Sequence, residues 1–134
     1  MSRGIQNKNP ANLRISDQNW KGKVPEDQNT DGTFEQFTDP VYGLRALAVL
    51  LRNYYNIYGL NTIRQYITKF APSSENPLQD YIDFVCKSCN AGPDDIYNVT
   101  LDIKLDLLMA AIVQFENGVQ PYSEAQINEA IALA

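Results

Sequence analysis

Residues 107–113 read LLMAAIV, seven apolar side chains in a row. Successive side chains of a helix are about 100° apart, so seven consecutive positions go round its whole circumference. A helix containing this run therefore has no polar face, and other parts of the chain must wrap it. It is too short to span a bilayer, which takes about 20 predominantly apolar residues. A start near Thr100 or Leu101 and a stop at Gly118 frame it as one long central helix. With 134 residues, 44% apolar and 20% charged, the chain has enough material for one core around that helix.

The wrapping elements are marked by their ends. Asp39-Pro40 supplies a cap and a first-turn proline, and Leu44, Leu47, Ala48, Leu51, Tyr55 and Tyr58 follow at helical spacing until Gly59. Asn61 opens a shorter helix through Ile63, Tyr66, Ile67 and Phe70, which Pro72 stops. Asn76-Pro77 opens another through Tyr81, Phe84 and Val85, ending at Asn90 and Gly92. Ser123 and Gln126 form a capping box for a last amphipathic helix through Ile127, Ala130, Ile131 and Leu133. Residues 1–40 are polar and turn-rich. Residues 11–15 and the Phe34 to Phe37 stretch are expected as strands, paired as a small β-hairpin around Asp31-Gly32. No repeat or linker divides this plan, so the expectation is a single mainly α (α+β) domain over residues 1–134.

Composition excludes several kinds of chemistry. There is no histidine, which removes Ser-His-Asp and Cys-His nucleophiles and every imidazole metal site. The two cysteines, Cys86 and Cys89, make half of a four-thiolate zinc site with no second half, and read as ordinary helical thiols. A net charge of −5 is the wrong sign for a duplex nucleic-acid binder. The start is polar and Asn-rich rather than a secretory leader, and no stretch suits membrane insertion. No metal or cofactor is expected, so chemistry falls to carboxyls, amides, Tyr, Lys and Arg.

Among these, Glu116 stands out in Gln114-Phe115-Glu116-Asn117-Gly118, the last turn of the central helix. The carbonyl end of the helix dipole disfavours a negative charge there by about 0.3–1 kcal/mol, and partial burial adds to this. A carboxyl that keeps its proton in this way suits a general acid; the other reading is a solvated helix-end residue. Residues 24–40 carry Glu26, Asp27, Asp31, Glu35 and Asp39 with no base among them. Asp39 is explained as a cap, which leaves Glu35 as the candidate second carboxylate. Asn7, Asn9 and Asn12, with Trp20, offer amides and a ring face of the kind that binds a sugar chain, or else turn-forming residues of an irregular segment. Tyr122 follows closely after Glu116. Charge alternates along the chain, +4 over residues 1–23, −5 over 24–40, +4 over 41–72 and −8 over 73–134. A groove between the basic first block and the acidic last one is the expected arrangement.

The segment Gly4-Ile5-Gln6-Asn7-Lys8-Asn9-Pro10-Ala11-Asn12-Leu13-Arg14 resembles the "NNPGNIR" opening of a family of small phage proteins, described as virion structural and lysozyme-like proteins. Trp20 with Gly22, Phe34 and Phe37 leading into Tyr42-Gly43-Leu44-Arg45-Ala46, Tyr58-Gly59-Leu60-Asn61-Thr62-Ile63, and Ala71-Pro72, Glu75-Asn76 and Tyr81-Ile82 extend the likeness over most of the chain. At a more distant level, Phe115-Glu116-Asn117-Gly118 is similar to the acid-glutamate helix end of lytic transglycosylases and glucosaminidases. The Asn-rich segment is similar to the stretch that follows it there, in reversed order along the chain. The resemblance implies a lysozyme-like fold, circularly permuted, with Glu116 and the Asn-rich segment on one groove.

On that basis the expected function is a phage or prophage peptidoglycan glycosidase or lytic transglycosylase. Glu116 would be the acid and then the base, Glu35 the second carboxylate, and Asn7, Asn9, Asn12, Trp20 and Tyr122 the glycan contacts. Its partner would be bacterial cell-wall glycan, met from the virion or from the host cytoplasm before release. The alternative is a non-catalytic virion or tail component that uses the same domain to assemble with other virion proteins or to bind glycan; a third is a small helical adaptor with no glycan contact.

Overall fold

The computed structural model describes residues 1–71 and 77–134. The stop expected at Pro72 and the cap expected at Asn76 lie outside the described residues, as do two residue pairs of the resemblance in part or whole, Ala71-Pro72 and Glu75-Asn76. Six α-helices are described: α1 (Arg3–Gln6), α2 (Pro40–Asn56), α3 (Ile63–Phe70), α4 (Leu78–Cys89), α5 (Asp102–Asn117) and α6 (Glu124–Leu133).

α5 is the central helix, packed against α1, α2, α4 and α6. Leu105, Leu108, Met109, Ala111, Ile112 and Val113 are buried, whereas Leu107, at 41% exposed, opens one side of the run to solvent. Gly118 ends the helix at φ 76°, a left-handed turn that costs glycine nothing. α2 buries Leu44, Leu47, Ala48 and Leu51 under α6, and α4 buries Tyr81, Ile82 and Val85 against α5. None of the helices among the described residues is long and apolar enough to cross a membrane.

The helix ends follow local chemistry. Val41 N–H donates to the Asp39 carboxylate ahead of Pro40, and Asn90 closes α4 at φ 50°. The capping box at Ser123 and Gln126 is present in both directions. The cap of α3 lies one residue later than expected: Thr62 accepts the Gln65 N–H, while the Asn61 N–H donates to the Gln65 side chain.

The N-terminal segment corrects the expected fold class, which becomes all-α. Residues 3–6 form a helical turn that its polar composition hid, capped by Ser2 and ended by Lys8 at φ 53°. There is no β-hairpin and no strand among the described residues, only isolated antiparallel bridges at Arg14 with Phe34 and Lys23 with Phe37. The chain around Phe34 and Phe37 is shared among several neighbours. Glu35 N–H donates to Leu13 O, Val24 N–H to Gln36 O, Phe37 N–H to Asn7 O and Thr38 N–H to Gly22 O. Asp31, the intended turn, is occupied by side-chain bonds to Arg3 and Asn7. With its partners divided in this way, the segment builds no ladder of more than one rung.

Gly43 lets α2 approach this segment. A Cβ there would overlap the Lys8 carbonyl oxygen and come within 2.9 Å of Pro10 Cδ. Gly43→Ala is therefore expected to destabilise by about 1–3 kcal/mol from overpacking, although Ala favours a helix interior by about 1 kcal/mol over Gly. Urea unfolding tests the sign.

Candidate functional site

The last turn of α5 meets the Asn-rich segment. Asn117 donates from Nδ2 to Pro10 O at 2.6 Å and to Val113 O at 2.9 Å, and its Oδ1 accepts the Ser2 hydroxyl at 2.7 Å. One residue earlier, Glu116 Oε1 accepts the Asn12 amide at 3.1 Å. Asn12 holds φ 54°, a left-handed conformation that asparagine tolerates better than most residues. Gly4 sits beneath both contacts, where a Cβ would overlap Asn117 Oδ1 and Asn12 Oδ1. The absence of a side chain at Gly4 is what lets these two amides close over α1.

Glu116 is half-buried, and among the described residues none of the ion pairs involves it. On its α4 side lies Tyr81, fully buried, with its ring stacked on Phe115 at 3.9 Å between centroids; Phe84 packs on the same ring at 5.5 Å. Burial first, and the Glu116 carboxylate second, push the Tyr81 phenol far above its ordinary value. The site is thus a carboxyl at a helix C-terminus that accepts from an amide and adjoins a cluster of Tyr81, Phe84 and Phe115.

The remaining sequence candidates occupy different positions. Asn9 is completely buried; its Nδ2 donates to Leu13 O and Glu35 O, and its Oδ1 accepts Leu13 N–H. Asn7 is buried as well, donating to Asp31 and accepting from Gln36. Their amides supply the bonds that an irregular buried backbone lacks. Glu35 is 1% exposed, paired with Lys23 Nζ at 2.9 Å and accepting Ser16 N–H at 3.3 Å. Lys23 gives its other hydrogens to Ser16 O and Gln18 O. Trp20 is half-buried against the core, and Tyr122 is buried in it, where desolvation raises its phenol. Of the expected set, the structure joins Asn12 directly to Glu116. Tyr81 was legible in the sequence only as a core residue, because helical spacing does not show which helix end a core side chain will meet.

The family models that were searched include none that matches this chain. Protein P5 of Pseudoalteromonas phage PM2 is 34% identical over 131 residues, which cover 96% of this chain and 79% of the phage protein. The chain belongs to the family of protein P5. The similarity to protein P5 takes in both halves of the site, since a match of this extent spans the Asn-rich segment and the end of α5.

Asp31 ties the protein P5-like N-terminal segment together. The Arg3 guanidinium, then the Asn7 amide, then the Phe34 N–H hold its carboxyl well below the ordinary range. A carboxyl lowered by folding stabilises the native state fully above its unfolded value of about 3.9, and that contribution fades as pH falls below it. Asp31→Asn is accordingly expected to lower the melting temperature at pH 7. The gap to the parent protein should narrow steadily from pH 5 to pH 2, as followed by circular dichroism.

Proposed function

We propose that this protein cleaves the glycan strand of bacterial peptidoglycan, with Glu116 as general acid and then base. The observation that carries the reading is the Asn12 amide on Glu116 Oε1. It supports the reading because a carboxyl outside any ion pair among the described residues meets the Asn-rich segment there, the pairing that a permuted lysozyme-like arrangement requires. Membership of a family that includes a phage protein supports the setting, since a phage must breach this polymer. The wall would be met from the virion, or from the host cytoplasm before release.

The two bonded sides of Glu116 have distinct consequences. Asn12 fixes Oε1 as an acceptor, which leaves the other oxygen to carry the proton toward a glycosidic oxygen. After donating, the carboxylate takes a proton back from a hydroxyl. Glu35 is enclosed with Lys23, so a second carboxylate is not offered as nucleophile or base. A lone carboxyl fits a lytic transglycosylase best: the sugar's own C6 hydroxyl attacks the anomeric carbon, gives its proton to Glu116 and leaves a 1,6-anhydro end. Asn12 and half-buried Trp20 are the proposed glycan-side residues, the one holding Glu116 and the other offering a ring face.

A second reading is a non-catalytic virion or tail module that assembles with other virion proteins or binds glycan. The observation in its favour is that Asn7 and Asn9 spend their amides inside the fold. Purified protein added to outer-membrane-permeabilised cells decides between the two. The catalytic reading expects clearing, anhydro-muropeptide products, and loss of both in Glu116→Gln with the melting temperature nearly unchanged, because the amide keeps an oxygen for Asn12. No clearing by the parent protein would overturn the catalytic reading and favour the structural one.

A further inference from the structure

Three tyrosines rank among the largest fully buried side chains, and two of them dispose of their hydroxyls in the ordinary way. Tyr66 donates to Tyr97 O at 2.6 Å, and Tyr97 donates to Lys104 O at 2.7 Å. Tyr81 does not: its hydroxyl is buried and has no hydrogen-bond partner of good geometry. Buried phenols normally find one, because leaving the group unbonded forfeits its hydration without return. The other orphaned buried atom among the described residues is Asn12 Oδ1, on the amide that holds Glu116. One of these atoms is on the amide that holds Glu116, and the other is on the ring stacked against Phe115, the residue before Glu116.

We propose that Tyr81 is the positioning residue of Glu116, a fixed hydroxyl that donates to the glutamate carboxylate whenever it is ionised. The inference rests on the reading of Glu116 as the acid and base, and names the group that holds it in register between those two roles. The ring of Tyr81 cannot swing away, since it is stacked on Phe115 and enclosed between α4 and α5. Its hydroxyl, with no competing acceptor, stays available to the carboxyl alone. When Glu116 has given up its proton, the Tyr81 O–H joins the Asn12 N–H in holding the charged group. They keep its plane fixed until the proton returns. The effect of the Glu116 charge on the phenol is consistent with this placement.

The test separates this role from simple packing and from the activity itself. In protein labelled with 13C at the tyrosine ζ carbon, the Tyr81 resonance should move when Glu116→Gln is introduced, with those of Tyr66 and Tyr97 unmoved. An unmoved Tyr81 resonance overturns the proposal whether or not the protein cleaves glycan. Tyr81→Phe keeps the ring and removes the hydroxyl. Its melting temperature should stay close to that of the parent, because the ring packing is kept, while kcat on isolated peptidoglycan should fall roughly ten- to a hundred-fold at constant KM. A destabilised Tyr81→Phe with unchanged kcat would make the residue structural and refute the proposal. Absence of clearing by the parent, with the Tyr81 resonance still responding to Glu116→Gln, would reject the acid assignment and leave the pairing intact.

Discussion

The contact between the end of α5 and the N-terminal segment closes the chain on itself. Asn117 alone reaches Ser2, Pro10 and Val113, so it bonds the first turn of the chain to the last turn of the central helix. Closing more than a hundred residues costs entropy that grows only logarithmically with loop length. A few well-made bonds over a packed core suffice to hold it. Other features follow from this docking. Gly4 has to lack a side chain, Lys8 and Asn12 have to turn left-handed, and Glu116 ends with one oxygen bonded to an amide.

Charge is organised differently from the blocks along the sequence. The basic first block is matched by its neighbour, through Arg3 with Asp31 and Lys23 with Glu35. The basic third block is matched by the fourth, through Arg52 with Asp102 and Arg64 with Asp94. The latter pairs are largely exposed and contribute little, whereas Lys23 and Glu35 form an enclosed pair whose hydrogens are fully used. None of these pairs crosses from residues 1–23 to residues 73–134, where the expected groove would have needed it. The N-terminal cations hold their own segment together, and Glu116 keeps an amide as its N-terminal partner.

This explains which parts of the fold were legible. Helix ends are local: Asp39, Asn90, Gly118 and Ser123 act within a turn of themselves, and each does what its residue type dictates. The central position of α5 follows from its apolar run, although Leu107 leaves one side of it open to solvent. The first forty residues carry no such period, because their order depends on distant partners. Asn7 and Asn9 have the composition of a sugar-binding loop and the role of backbone substitutes, and only their burial separates the two. The β-hairpin failed for the same reason, since Asp31 and Glu35 are claimed by Arg3, Asn7, Lys23 and Asn9 before a ladder can form. The position of Glu116 in the last turn of α5 was legible from the sequence, but the stacking of Tyr81 on Phe115 required the packing of α4 on α5.

The site thereby reduces to one carboxyl whose surroundings are rigid on both sides. A catalyst with two carboxylates can divide acid and base duties between them and tolerate some movement in each. A single carboxyl must deliver a proton and recover one within the same cycle, so its plane has to stay put while its charge changes. Attachment to the last turn of a helix buried against four others meets that demand on the backbone side. An amide on a left-handed residue meets it at one oxygen, and the Tyr81 phenol is the second group proposed to hold it. On the proposed reading, the enclosure of Glu35 with Lys23 leaves Glu116 as the carboxyl on which the chemistry depends.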